Sequence, residues 1–328
     1  MNKFTNVNNI ALSLAVWLAD DDYDHDDDPN VISVTSLLKP IKQIVLSRQS
    51  KDLDKVADVS ALIASRSGTA FHTAIETSWN KTDKVKALLL DFGYPQSIID
   101  RIIINPKPEE IKEDSVCIYM ERRSKKQIGK WIISGKFDFL MGGVLEDFKS
   151  TKTYGYMTGD NVQKYVEQGS LYRWLNQDIV TEDYMKIQYI FTDWAQMSAI
   201  KNKDYPQSQL LEAKYPLMSI SETESFVTNL IAKITNLENE TQDNLPQCTD
   251  KELWRKADVW KYYKDPSKKT RSTKNFDIES EAYTRLAKDG SVGIVNHFPG
   301  QVMRCKYCDV VDVCDQATGY KNSGLLKL

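Results

Sequence analysis

The dipeptide Gly142-Gly143 separates two apolar, β-prone runs in the stretch Ser134-Gly-Lys-Phe-Asp-Phe-Leu-Met-Gly-Gly-Val-Leu-Glu-Asp-Phe-Lys-Ser150. Glycine accepts the positive φ that a two-residue reverse turn demands, so this pattern commits the chain to a β-hairpin. Counting outward from the turn pairs Met141 with Val144 and sets Asp138 opposite Asp147. Directly paired residues have Cβ atoms about 5 Å apart, where two carboxylates repel each other. A cation between them turns the repulsion into coordination. The two-residue period of a strand puts Lys149 on the face of Asp147, with Glu146 and Phe148 on the other. Two carboxylates and a lysine on one face suit cation-assisted attack on a phosphodiester.

At 328 residues the chain can bury the core of one large domain, or of a domain with an appended module. Its 41% hydrophobic and 27% charged residues are ordinary for a globular protein. A formal net charge of −3 supplies no global field for nucleic acid, so any such contact comes from local basic segments. The apolar run at 10–19 is too short to span a bilayer and has a weakly basic start. It reads as an amphipathic helix rather than a signal peptide. The acidic cluster 20–28, which contains His25, reads as a solvated run.

Spacing predicts a basic amphipathic helix over 34–48, entered near Ser36 with Pro40 in its first turns. A second helix is expected over 53–65. A third, beginning after Ser67-Gly68, carries Phe71, His72, Ile75 and Glu76, and further helices cover 83–92 and 96–103. The period then changes, and 116–122, 131–141 and 144–150 read as three consecutive antiparallel strands joined first by a basic loop, 122–126. A helix over 161–176, a strand over 185–191 and a helix over 221–240 follow, the last with Ser221 and Glu224 as a capping box. The tail after Asn244 reads as irregular, rich in charge and aromatics. The expected class is α/β, in segments 1–30 (helix and acidic run), 31–243 (core) and 244–328 (a small cysteine-containing module).

Four further groups carry chemistry. His72 and Glu76 stand four residues apart on one helical face, although a lone histidine among apolar neighbours is more often part of a core. Tyr165, Gln168 and Tyr172 share a helical face, with Gln168 and Tyr172 as candidate nucleic-acid contacts. Cys305, Cys308 and Cys314 crowd into ten residues, and Cys248 is the best fourth thiolate. Four thiolates suit zinc or a 4Fe–4S cluster, and the spacing does not separate them. Cys117 reads as plain core. The stretch 254–274 mixes basic and aromatic residues and suits tracking of a single strand, or else a solvated surface.

Taken in order, Gly68-x3-His72-x3-Glu76, Gly135-x2-Asp138, Asp147-Phe-Lys149, Gln168-x3-Tyr172 and the C-terminal cysteines resemble the P-D-(D/E)-x-K nuclease superfamily. The branch they resemble is the RecB/AddB-like exonucleases, which also includes CRISPR-associated adaptation nucleases and members from phages and bacteria. The resemblance runs from about Ile32 to Gln316 and implies a restriction-endonuclease-like core, a central mixed sheet flanked by helices. It implies that His72, Asp138, Asp147 and the backbone carbonyl of Phe148 bind Mg2+ or Mn2+. Glu121 enters as a secondary acid near the metals. Lys149 takes the role of catalytic lysine, and Gln168 with Tyr172 that of a DNA-contacting motif.

One departure stands out. Iron–sulfur members of this branch draw one cysteine from before the core, whereas no cysteine precedes Cys117 here. The ligand set expected for the cluster is therefore Cys248, Cys305, Cys308 and Cys314, with Zn2+ as the alternative to 4Fe–4S.

The expected function is that of a metal-dependent deoxyribonuclease, an exonuclease serving recombination, repair or phage DNA metabolism in a bacterial or phage-infected cytoplasm. DNA is the expected partner, with a helicase, recombinase or single-strand-binding protein beside it, and no membrane. The rival expectation is a non-catalytic nucleic-acid-binding or assembly protein with a zinc knuckle.

Overall fold

The computed structural model describes residues 3–20, 26, 28–51, 56–267 and 270–327. Strand β1 (Lys3–Thr5) is followed by α1 (Leu12–Ala19), β2 (Val31–Ser33), α2 (Val34–Leu37) and α3 (Ile41–Gln49). Next come β3 (Val56–Asp58), α4 (Ile63–Trp79), α5 (Thr82–Asp91), α6 (Gln96–Ile99) and β4 (Ile102–Ile104). Five strands follow: β5 (Val116–Met120), β6 (Arg123–Ile128), β7 (Trp131–Lys136), β8 (Phe139–Met141) and β9 (Val144–Thr151). Then α7 (Thr153–Thr158), α8 (Val162–Leu175), β10 (Tyr184–Phe191), α9 (Gln196–Lys201), β11 (Leu210–Pro216) and α10 (Ile220–Leu237) alternate. The remaining chain forms β12 (Val259–Tyr263), β13 (Lys274–Phe276), α11 (Glu279–Lys288), β14 (Ile294–Phe298) and α12 (Asp315–Asn322).

The result is a mixed α/β protein whose chain divides into two compact units. One comprises 1–38 with 54–232, the other 39–53 with 233–328. The expected segment limits at 30 and 243 are limits in sequence alone, because 39–53 joins the C-terminal unit.

The first unit is built on a six-stranded sheet of order β11-β10-β9-β8-β5-β4. Its β9 lies antiparallel to β8 and parallel to β10, so the sheet is mixed. The β8–β9 hairpin closes as the glycines require: φ is 58° at Gly142 and 78° at Gly143, and Met141 pairs with Val144. On β10, Met185, Ile187, Tyr189 and Phe191 alternate inward and are all buried. Ile102, Ile118, Met120 and Phe139 form a separate apolar cluster, against which Phe148 and Trp79 pack.

Several expectations are corrected. The three-strand meander forms in part: β5, β8 and β9 pair antiparallel in that order, but the run 131–141 breaks at Phe137-Asp138 into β7 and β8, and only β8 belongs to it. β7 then joins a second sheet, β2-β7-β6, while β5 pairs with β8. The basic "loop" 122–126 is mostly strand β6, its backbone paired with β7 from Arg123↔Lys136 to Ile128↔Trp131. Lys126 there pairs with Glu224 and lies 4.1 Å from the centroid of the Trp174 ring. Pro40 does not sit inside a helix: it separates α2 from α3, since proline disfavours helical conformation in the residue before it. Ser33, not Ser36, caps α2. Helix α4 starts at Ile63 and runs straight through Ser67-Gly68, and 96–103 holds a short helix followed by strand β4. The capping box of α10 is formed by Ser219 and Glu222, two residues earlier than the expected Ser221 and Glu224.

The C-terminal tail is not irregular. It forms a three-stranded antiparallel sheet of order β13-β12-β14, covered by α11. A second core gathers Val45 and Leu46 of α3 with Leu245, Leu253, Val302, Val310 and the cysteine loop. Most of the expected acidic run, residues 21–25 and 27, lies outside the described residues, as does the start of the helix expected over 53–65; the rest of that stretch is strand β3 and a 3₁₀ turn (Val59–Leu62) before α4 begins at Ile63. Among the described residues no helix is long and apolar enough to cross a membrane.

Candidate metal centre and acid–lysine site

Past Glu146 the edge of β9 loses its partner, because the β8 ladder ends at Phe139↔Glu146. Two side chains take over the vacated backbone positions. Asp138, in the bend between β7 and β8, accepts a hydrogen bond from the Phe148 amide through Oδ2 at 3.0 Å. His72, on α4, sets Nε2 at 3.0 Å from the Phe148 carbonyl oxygen and Nδ1 at 3.4 Å from Oδ2 of Asp138. A strand left unpaired thus organises an imidazole, a carboxylate and a backbone carbonyl around one residue.

Glu121 completes the group. It follows β5 with φ at 51°, in the left-handed region, and its amide donates to the Asp138 carbonyl oxygen at 3.2 Å. Strain of this kind at a non-glycine residue is kept where surrounding contacts impose it. Ligand atoms of His72, Glu121 and Asp138 all lie within 4.8 Å of one another. Lys136 pairs with Glu121 at 2.5 Å.

Asp147 and Lys149 occupy the opposite face of β9, as the period of two requires, beneath α8. Asp147 is only 3% exposed. Lys149 Nζ lies 2.6 Å from Asp147 Oδ2, and Gln168 Nε2 donates to Oδ1 at 3.2 Å. Gln168 also donates to the Tyr172 hydroxyl at 3.0 Å, and the Tyr165 ring centroid lies 5.4 Å from Lys149 Nζ. Oδ2 of Asp147 has the lysine as a charge neighbour but no hydrogen bond of good geometry.

The electrostatics follow from burial among opposed charges. Burial pushes the Asp147 carboxyl up to about 6 against the pull of Lys149, and the Asp138 charge adds to the rise. For Asp138 burial acts upward too, but His72, Lys149 and the Phe148 amide outweigh it and leave the pKa below the usual carboxylate range. Burial opposes charge on His72 and on Lys149; neighbouring carboxylates overcome it, and both pKa values rise. Glu121 rises through burial, partly offset by Lys136 and reinforced by Asp138 and Glu76.

The expected ligand set is therefore partly rearranged. His72, Asp138 and the Phe148 carbonyl come together, and Glu121 joins them as a full member. Asp147 stands outside that 4.8 Å group, with its oxygens turned to Lys149 and Gln168. The simple picture of two acids facing across a ladder fails because the chain bends at Asp138 before the pairing reaches it. Gln168 and Tyr172, expected to touch nucleic acid, are buried; Gln168 donates to Asp147 and to the Tyr172 hydroxyl. Sequence offered no sign of Lys136 as the partner of Glu121.

In the second unit, Cys248, Cys305, Cys308 and Cys314 converge on a cavity of about 30 Å³ lined also by Leu46, Leu253 and Val310. Burial first, then Glu252 and the other cysteines, push the Cys248 thiol up to about 12. A thiol raised in this way stays protonated unless a metal displaces its proton. Gln316 clamps this corner: it accepts from the Cys248 amide and donates to the Cys248 carbonyl, both at 2.9 Å. Cys117 stands apart in β5, half-buried.

No family model matches the chain, and no curated protein matches it. Among solved structures, the crystal structure of SSO0001 is similar at 15% identity with a TM-score of 0.41, over 72% of this chain and 90% of that one.

Proposed function

We propose that the protein is a divalent-cation-dependent deoxyribonuclease with a restriction-endonuclease-like core. One observation carries the reading: His72, Glu121 and Asp138 bring three ligand atoms within 4.8 Å, while the buried Asp147–Lys149 pair sits across the same short strand. The donor set is one imidazole nitrogen with carboxylate and carbonyl oxygens, which suits Mn2+ or Mg2+. When bound, such a cation neutralises phosphate charge and lowers the pKa of water. His72, Glu121, Asp138 and the Phe148 carbonyl would hold it, while Asp147 stays paired with Lys149 and Gln168.

The chain's own residues have distinct tasks. Lys149, kept charged by Asp147 and Asp138, is placed to stabilise the pentacoordinate phosphate and orient the attacking water. Gln168 fixes Asp147, and Tyr172 fixes Gln168, so the carboxylate cannot turn away. The mixed sheet with helices α4 and α8 carrying site residues supports the resemblance to the RecB/AddB-like branch.

The cysteine module fits a metal by its donor chemistry. Cys248, Cys305, Cys308 and Cys314 would hold a 4Fe–4S cluster, with Zn2+ as the alternative, and either would staple the loop that carries them. Metal analysis of anaerobically purified protein tests this: iron with visible absorption is expected, and stoichiometric zinc in a colourless protein would replace that assignment. For the activity, labelled single- and double-stranded DNA is incubated with Mg2+ or Mn2+. Metal-dependent cleavage is expected; metal-independent binding without cleavage would make the protein a non-catalytic nucleic-acid-binding or assembly protein.

A further inference from the structure

We propose that Trp254, Arg304 and Tyr307 form a platform on the second unit that stacks the bases of single-stranded nucleic acid. The three residues come from two distant segments. Leu253 is buried, and its carbonyl accepts from the amides of Met303 at 3.1 Å and Arg304 at 3.0 Å, locking the segments together. Trp254 follows with φ at 50°, the left-handed region that a residue with a bulky side chain adopts only under constraint. That conformation turns the indole outward, 51% exposed, instead of into the adjacent core.

Tyr307 lies in the 3₁₀ turn Arg304–Tyr307, between Cys305 and Cys308, and is 73% exposed. Its ring centroid is 6.3 Å from that of Trp254, at 50°. The Arg304 guanidinium carbon lies 5.4 Å from the Trp254 centroid, and Arg304 Nη2 also donates to Gln43 at 3.4 Å. Lys251, Lys256 and Lys306 are exposed on the same short segments. Four acids lie on the same segments: Asp250 and Asp258 pair with Arg255, Glu252 accepts from Thr249, and Asp309 accepts from Gln43 and Ser47. Two open rings with a guanidinium between segments offer π surface for a base and positive charge for a phosphate.

Arg304 disfavours a cationic occupant. A duplex keeps its bases stacked internally and gives the rings no face, whereas a single strand presents one. The choice of nucleic acid over other planar anions rests on the nuclease reading of the first unit; the binding itself requires no catalysis. The cysteine loop carries Arg304 and Tyr307, so the platform's position depends on that loop being closed.

The test uses the full chain without added divalent cation and a short fluorescein-labelled oligo-dT, read by anisotropy and by quenching of tryptophan fluorescence. Trp254→Ala and Tyr307→Ala are each expected to weaken binding roughly tenfold, Trp254→Phe to recover most of it, and duplex of equal length to compete poorly. Tyr307 is too exposed for its loss to unfold the protein. Wild-type affinity in both alanine variants overturns the proposal, as does equal competition by duplex. Cleavage with Mn2+ is scored separately: binding that depends on Trp254 in a protein that never cleaves leaves the platform standing and removes only the nuclease reading.

Discussion

Lys149 Nζ lies 2.6 Å from Oδ2 of Asp147, two residues earlier on the same face of β9. Each keeps the other in a low-water environment that neither would occupy alone. Breaking a buried pair from one side is costly because the remaining charge is uncompensated, and that asymmetry shapes the variants below.

Lys149→Ala and Asp147→Asn should lower DNA cleavage by about 10²- to 10³-fold, the effect of losing one preorganised charge at a phosphoryl centre. Asp138→Asn should do the same. Circular dichroism spectra should remain native in all three. Cleavage at wild-type rates, insensitive to EDTA, in all three would dispose of the proposed chemistry.

His72→Ala and Glu121→Gln remove members of the three-ligand group and should each weaken Mn2+ binding by at least about tenfold. Titration calorimetry of the DNA-free protein reads this without any turnover. Glu76→Gln serves as the comparison, since Glu76 is absent from that group. Equal Mn2+ affinity in wild type and both ligand variants would show that the cation binds elsewhere.

In metal-free buffer, Asp147 sets a pH window for stability. Its pKa is raised from 3.8 to about 6, mainly by burial, so between these values the folded chain holds a proton that the unfolded chain has released. The protonated form is the favoured one in the fold. Its contribution is therefore intact below about pH 4 and is lost as pH rises through about 6. Urea unfolding at several pH values should show wild type losing stability relative to Asp147→Asn across that interval. A constant difference between the two proteins would mean that Asp147 titrates normally.

Gly169→Ala should displace α8 from the sheet. A Cβ at Gly169 would lie 2.3 Å from Met185 Sδ and 3.0 Å from Leu217 Cδ2. Overpacking of this kind costs about 1–3 kcal/mol. Because Gln168 is the next residue, cleavage should fall by more than the loss of folded protein explains. Unchanged melting temperature and unchanged activity would show that the helix–sheet contact is looser than the structure has it.

Parts of the site could be read directly from residue order. Gly142-Gly143 define a turn by local backbone chemistry, and with it the pairing of Met141 and Val144. The period of two places Asp147 with Lys149, and the period of 3.6 places Gln168 with Tyr172. The break at Phe137-Asp138 left no local mark, because β7 and β8 are both good strands and differ only in which sheet receives them. For the same reason 122–126 reads as a basic loop in sequence: the backbone partner of β6 is β7, and strand pairing, not side-chain polarity, decides its state. The sheet in the C-terminal unit left little trace in the residue order because β12, β13 and β14 are short, and β12 carries a lysine between its aromatic residues.

What residue order settled alone was periodicity: which side chains share a strand or helix face, and where glycine permits a reversal. The convergence of His72, Glu121 and Asp138, the turning of Asp147 toward Gln168 and the gathering of four cysteines required the folded chain. These groups sit on elements separated by tens of residues, and only the pairing of strand edges and the burial of apolar faces fix the distances between them.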